Sequence, residues 1–184
     1  MTTEEIFANI ATHKIKGMMI HDSLSNYYLF LGLNGYARCH EYHFICESRD
    51  YQKLNCYYIK HYNKLIPEKD VDSVKVIPDS WYMVSRFEVD APTKKAGVKN
   101  ALKMWHDWEK STKALYETSY KELMNNGDVA SAVYISGCIE DIDKELKDVE
   151  KYVLNKEAMD YDMASIISEQ HHFKDKFKNK MRYM

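Results

Sequence analysis

The sequence predicts an all-α protein: a bundle of four long helices with one long crossover and a short fifth helix near the C-terminus. Three observations predict it. All three prolines, Pro67, Pro78 and Pro92, fall in one stretch between two long helical segments, and proline ends helices. The two Asn-Gly steps, Asn34-Gly35 and Asn126-Gly127, lie near the middle of those segments, where such a step makes a tight reversal. Only 6 Gly and 3 Pro occur in 184 residues, too few for a turn-rich β fold. The single domain is therefore punctuated as a helical hairpin (about 2–66), a crossover (about 67–92), a second hairpin (about 93–155) and a C-terminal helix with a basic tail (about 160–184).

Each element has its own signal. Thr2 followed by Glu5 is a capping box for a first helix. Apolar residues recur there at Ile6, Ile10, Ile20, Leu24, Tyr27 and Leu31, which is helical spacing. Beyond Asn34-Gly35, a second series runs through Ala37, Phe44, Tyr51, Leu54, Tyr58, Tyr62 and Leu65 to Pro67. Residues 67–92 lack that spacing. Their VKVIPDSWYMV stretch suits an extended strap, and some 25 extended residues cover the roughly 45 Å of a 30-residue helix. The strap returns the chain to the end where it began. Thr93 is the expected N-cap of the third helix, whose inward stripe is Ala101, Trp105, Trp108, Thr112, Leu115, Ser119 and Leu123. Asp128 is placed to cap the fourth, with Val129, Ala132, Ser136, Ile139, Leu146, Val149 and Val153 facing inward. A final short helix holds Met163, Ile166 and Ile167 ahead of the basic end HHFKDKFKNKMRYM.

Composition narrows the function. Hydrophobic residues make up 45% and charged residues 29%, as in a soluble globular chain, and the net charge of −2 argues against both a generic nucleic-acid binder and an acidic mimic of one. No apolar run is long enough to span a bilayer. The four cysteines, Cys39, Cys46, Cys56 and Cys138, show no CxxC spacing, and the acidic, amphipathic N-terminus is unlike a secretory signal, so reduced thiols in the cytoplasm are expected. Nucleophile elbows, phosphate-binding glycine loops and dinucleotide fingerprints are missing, so none of these motifs marks an enzyme.

One constellation follows from the topology. Residues equally far from a hairpin turn lie level with each other. His21, Glu47, Glu109 and Asp143 therefore fall at one height on four helices. Glu47-x-x-Asp50 and Glu140-x-x-Asp143 add i,i+3 pairs, which share a helix face and can grip one ion. Surface pairing with Arg49, Lys53 or Lys144 explains the same carboxylates without a metal. The layout of residues 2–153 resembles the ferritin-like carboxylate di-metal proteins, which use Glu-x-x-His on two helices and a single Glu on the other two. The resemblance implies a carboxylate metal-binding protein or a metal-dependent oxidoreductase, with His21, Glu47, Asp50, Glu109, Glu140 and Asp143 as ligands of Mn, Mg or Fe. Asp stands where that family has His in both pairs, and His21 where it has Glu. Such an oxygen-dominated set favours Mg²⁺ or Mn²⁺ over iron.

Other residues carry weaker expectations. His40, Glu41 and His43 look like a solvated first turn of the second helix, and E-x-H spacing does not put both residues on one face. Trp105, Trp108 and the Tyr51-Tyr58-Tyr62 ladder are core at helical spacing. The runs GLNGYARCHEYHFICESRDY, YYIKHYNKLIP, WHDWEK and DYDM resemble small Firmicutes phage and prophage proteins, and the chain is similar as well to a type II anti-CRISPR family. That resemblance implies a non-catalytic protein that binds a host protein or protein–RNA complex, such as a CRISPR effector nuclease. Trp81 and Arg86 on the strap, and Lys174, Lys176, Lys178, Lys180 and Arg182 in the tail, are the expected contacts, with the tail suited to weak nucleic-acid contact.

Overall fold

Thr2 begins the first helix as expected: its hydroxyl accepts from the Glu5 N–H at 3.2 Å, and the Glu5 carboxylate accepts from the Thr2 N–H at 2.8 Å. The computed structural model describes residues 1–67, 69–71, 76–82 and 84–182. Among them the regular helices are α1 (Thr3–Phe30), α2 (Asn34–Tyr62), α3 (Ala91–Asn125), α4 (Val129–Ala158) and α5 (Met163–Arg182). No strand occurs among the described residues, and none of the helices is long and apolar enough to cross a membrane.

Side chains at the bundle ends set the helix directions. Gly97, early in α3, lies against Leu31 and Tyr27 late in α1. At the other end the Met1 ammonium pairs with Glu122 at 2.8 Å. Hence α1 and α3 are antiparallel. Tyr62 of α2 bonds the Asp128 cap of α4, and Tyr57 stacks on Tyr134 with ring centroids 4.0 Å apart, so α2 and α4 are antiparallel too. The second and third helices therefore point the same way, which is the one-crossover topology that the prolines predict.

Several local expectations shift. Gly32, at φ +73°, makes the first reversal, and Asn34 already opens α2. Gly35 serves a different need: a Cβ there would stand 1.9 Å from the Gln170 carbonyl oxygen, so the missing side chain lets α5 cross. Asp90, rather than Thr93, caps α3 by accepting the Thr93 N–H at 2.8 Å, and Pro92 sits in the first turn, where no partner for an N–H is lost. Asp128 caps α4 as expected. The strap is less extended than its composition suggests. Asp79–Tyr82 and Arg86–Glu88 are 3-10 turns, while Val76 and Ile77 are buried; Val74, Lys75 and Met83 lie outside the described residues. The fifth helix runs through the basic tail instead of ending before it, because Phe173 and Phe177 extend its apolar face into the core. Phe44, Leu65, Val129 and Ile167, expected inside, are exposed.

The interior is two apolar cores with a polar belt between them. One core gathers Leu24, Tyr28, Tyr36, Leu102, Trp105, Val149 and Phe173 at the α1–α2 turn. The other gathers Ile6, Phe7, Ile10, Leu54, Tyr116, Leu123, Ile135 and Ile142 at the opposite end. On every long helix the apolar series breaks at the same height: near Lys14 on α1, His40 to Glu47 on α2, Glu109 and Thr112 on α3, and Glu145 on α4.

Candidate functional site

The belt divides into two halves. In the first, Lys14 of α1 is buried, with its Nζ 2.9 Å from Glu47 Oε2 and 3.7 Å from Asp50 Oδ2. Burial alone would lower the pKa of this ammonium, but Glu47 and then Tyr116 raise it well above its usual value, so Lys14 is charged. Burial raises Glu47, with Lys14 pulling against it. Glu145 of α4 is pushed up to about 7, first by burial and then by its acidic neighbours Glu47 and Asp50, against the pull of Lys14. It lines an open cavity of about 270 Å³ with Lys14, Asp50, Tyr116, Tyr134 and Cys138.

The second half is histidine-rich. His21 of α1 and His40 of α2 are buried, and their Nδ1 atoms stand 2.9 Å apart. Burial drives both imidazoles well below their usual pKa, and takes His43 down to about 3 with the charges of Lys180 and Lys176 adding to it. Two neutral rings share one proton between those nitrogens, so one Nδ1 donates and the other accepts. If His40 donates, His21 carries its own proton on Nε2, which faces Glu109 Oε1 at 3.8 Å. Glu109 accepts the Trp105 indole N–H at 2.7 Å. Burial, then the charges of Glu145 and Glu47, hold its carboxyl far above the usual range. His21 Nε2 and Glu109 Oε2 make no hydrogen bond among the described residues, although such buried polar atoms are nearly always paired. The ring centroids of His40 and His43 lie 5.2 and 5.3 Å from that of His21. A narrow opening of about 90 Å³, lined by His43, Tyr42, Asp148, Lys176 and Lys180, reaches this half from the surface.

The expected ring is brought together in part. His21, Glu47 and Glu109 do belong to one belt. Asp143 does not: it pairs with Lys113 at 2.7 Å on the outer face, because two residues of α-helix turn a side chain to the opposite side. Glu140 is exposed, and Asp50, half-exposed, pairs with Lys53 at 2.9 Å. Lys14, His40, His43 and Glu145 are the belt residues that sequence reasoning missed. The signal was present: 40, 43 and 47 share a helix face, as do 135, 138, 142, 145 and 149. His40 and His43 are not solvated, since Trp105 packs 4.9 Å from each ring. Among the described residues no group of three or more His, Cys, Asp or Glu side chains is arranged to hold a metal ion as it stands.

The expected contact residues on the surface are partly occupied within the chain. Trp81 packs on Tyr27 with centroids 4.9 Å apart. Lys176 donates to the Tyr152 hydroxyl at 2.9 Å, and Lys180 lies 4.9 Å over the Tyr42 ring. Arg86, Lys174 and Lys178 are exposed. The side chain of Arg182 lies outside the described residues. All four cysteines are free thiols.

No protein-family model matches the chain, and no curated protein does. Solved structures do. The chain is similar to the open-pore ferritin of the archaeon Archaeoglobus fulgidus and to an engineered closed form of it, each at TM-score 0.77 and 12% identity, covering 94% of this chain and 94% of the other. It is also similar to an iron-soaked variant of PmFTN, at TM-score 0.73 and 12% identity, covering 91% of this chain and 96% of that one. The fold is the ferritin four-helix bundle.

Proposed function

We propose that this chain is a ferritin-like metal-binding protein that holds one transition-metal ion in the histidine half of its belt, on His21, His40 and His43, with Glu109 behind His21. A pair of ions on carboxylates does not fit these residues. Lys14 already sits between Glu47 and Asp50, and Glu140 and Asp143 face away from the interior. The observation that carries the histidine reading is the 2.9 Å approach of two neutral imidazole nitrogens from different helices. A tetrahedral ion with metal–nitrogen bonds of about 2.0–2.1 Å sets its donor nitrogens about 3.3 Å apart, so the two Nδ1 atoms need to part by only about 0.4 Å to admit one. Small rotations of His43 and His21 would complete the set. Glu109 stands where a carboxylate receives the outer N–H of a ligating imidazole and fixes its orientation. When bound, such an ion supplies Lewis acidity; the chain supplies three neutral donors, a dry indole wall and the acid that orients His21. A nitrogen-rich set favours Zn²⁺, Co²⁺ or Fe²⁺ over Mg²⁺.

Elemental analysis after dialysis against micromolar Zn²⁺ tests the reading. One zinc per chain is expected in the parent, none in His40→Ala, and about 10–100-fold weaker binding in Glu109→Gln. Folded parent protein that emerges free of zinc, or His40→Ala that retains it, overturns the reading. The other expectation, a phage-borne inhibitor of an RNA-guided nuclease, rests on the sequence resemblance alone, and the packing of Trp81 on Tyr27 and the bond of Lys176 to Tyr152 weigh against its contact surface.

A further inference from the structure

We infer that Lys14 is a resident cation: its ammonium fills the carboxylate half of the belt and closes that half to metal. The inference rests on the metal-binding reading only in its name for the two halves, since the Lys14 contacts stand without the histidines. Lys14 is 7% exposed, in a layer where α2 and α4 also present Glu47, Asp50 and Glu145. Its Nζ touches carboxylates at 2.9 and 3.7 Å, and its other side faces the Tyr116 ring at 5.5 Å. A cation at this point is what buried carboxylates on neighbouring helices require, because each charge left unpaired in the interior is costly. A divalent ion answers that requirement with several oxygens at once; a lysine answers it with one charge carried on the chain itself. The two are mutually exclusive, since an ion bound to Glu47 and Asp50 would occupy the space of the ammonium and repel it. Lys14 is thereby the residue that keeps a metal ion out of the carboxylate half.

The same geometry names what removal of the lysine exposes. Glu47, Asp50 and Glu145 would form an oxygen-only set beside a cavity of about 270 Å³ that opens to solvent, and such a set suits Mn²⁺ or Mg²⁺. The test is made in a His40→Ala background, so that the imidazole half contributes nothing. Mn²⁺ binding is followed by electron paramagnetic resonance, and thermal melting is recorded with and without Mn²⁺. With Lys14 present, no Mn²⁺ is expected to be taken up. Lys14→Met in that background is expected to bind one Mn²⁺ per chain and to melt higher when it is present, and Lys14→Arg to bind none. Should Lys14→Met fold only when Mn²⁺ is added, that too supports the inference. Lys14→Gln is carried in parallel, being closer in polarity to the parent. The inference is overturned if the Lys14-containing protein binds Mn²⁺, or if neither Lys14→Met nor Lys14→Gln does so. Failure of the zinc site would leave these outcomes unchanged, so the two readings fail separately.

Discussion

Asp143 and Glu145 are two positions apart on one helix and face opposite ways, and that difference decides which acid belongs to the interior. Level arithmetic from the hairpin turns finds the right height on α4 but takes the wrong face; the stripe of Ile135, Ile142 and Val149 selects Glu145. Lys14 was illegible for another reason. Lysine is almost never fully buried unless paired, and its partner Glu47 lies on a different helix. The histidines were hidden by their place near a turn, where the ordinary expectation is solvent.

At this scale the protonation states have a measurable consequence. His13 is held down to about 4 and His43 to about 3, each first by burial, with His21 and His40 lowered as well. The unfolded chain takes up those protons near pH 6.5 while the folded chain does not, so stability is lost as pH falls from about 6.5 towards 4. Glu145, raised to about 7, works the other way. Its proton favours the folded chain below its unfolded pKa, and that contribution is lost as pH rises through 7. Glu47 and Glu109 share its direction. Between pH 7 and pH 5 the urea midpoint of Glu145→Gln, which lacks this opposing group, is therefore expected to drop relative to the parent's. A midpoint difference between variant and parent that stays constant or reverses sign over that range contradicts the Glu145 assignment.

Among the elements, α5 departs furthest from its sequence reading. Periodicity ends the fifth helix at its apolar residues, because the lysines beyond them look solvated. Tertiary packing extends it: Phe173 and Phe177 are buried, Tyr36 bonds Glu169, and buried Lys156 reaches Glu169 at 3.1 Å and the Ser165 carbonyl at 2.9 Å. None of these partners is local enough to be read from spacing. Three predictions belong here. Gly35→Ala places a Cβ against the Gln170 backbone and should cost about 1–3 kcal/mol, whereas Gly137→Ala, which meets nothing within 4 Å, should stabilise α4 by about 0.5–1 kcal/mol. Phe173→Ala should cost about 3–5 kcal/mol by opening the core beneath α5. Chemical denaturation of the three variants beside the parent measures all of these. A tolerated Gly35→Ala would mean that α5 does not cross there.

For the whole molecule, the order of helices, the crossover and the relative directions of α2 and α3 were legible, because the prolines gather in one stretch and the Asn-Gly steps lie at or within a few residues of the two reversals. The position of a polar layer was legible too, as a height on the bundle. Its chemistry was not, since that depends on which side chains turn inward and on what neutralises them. Two apolar cores flank a belt in which a lysine answers the carboxylates and Glu109 faces the imidazole of His21. The central claim is that the imidazole half binds a single metal ion. A Co²⁺ titration of the parent protein, followed by visible absorption, tests it most directly. We expect intense d–d bands of a nitrogen-bound, four-coordinate ion that saturate at one Co²⁺ per chain; a spectrum that stays that of hydrated Co²⁺ throughout the titration would contradict the claim.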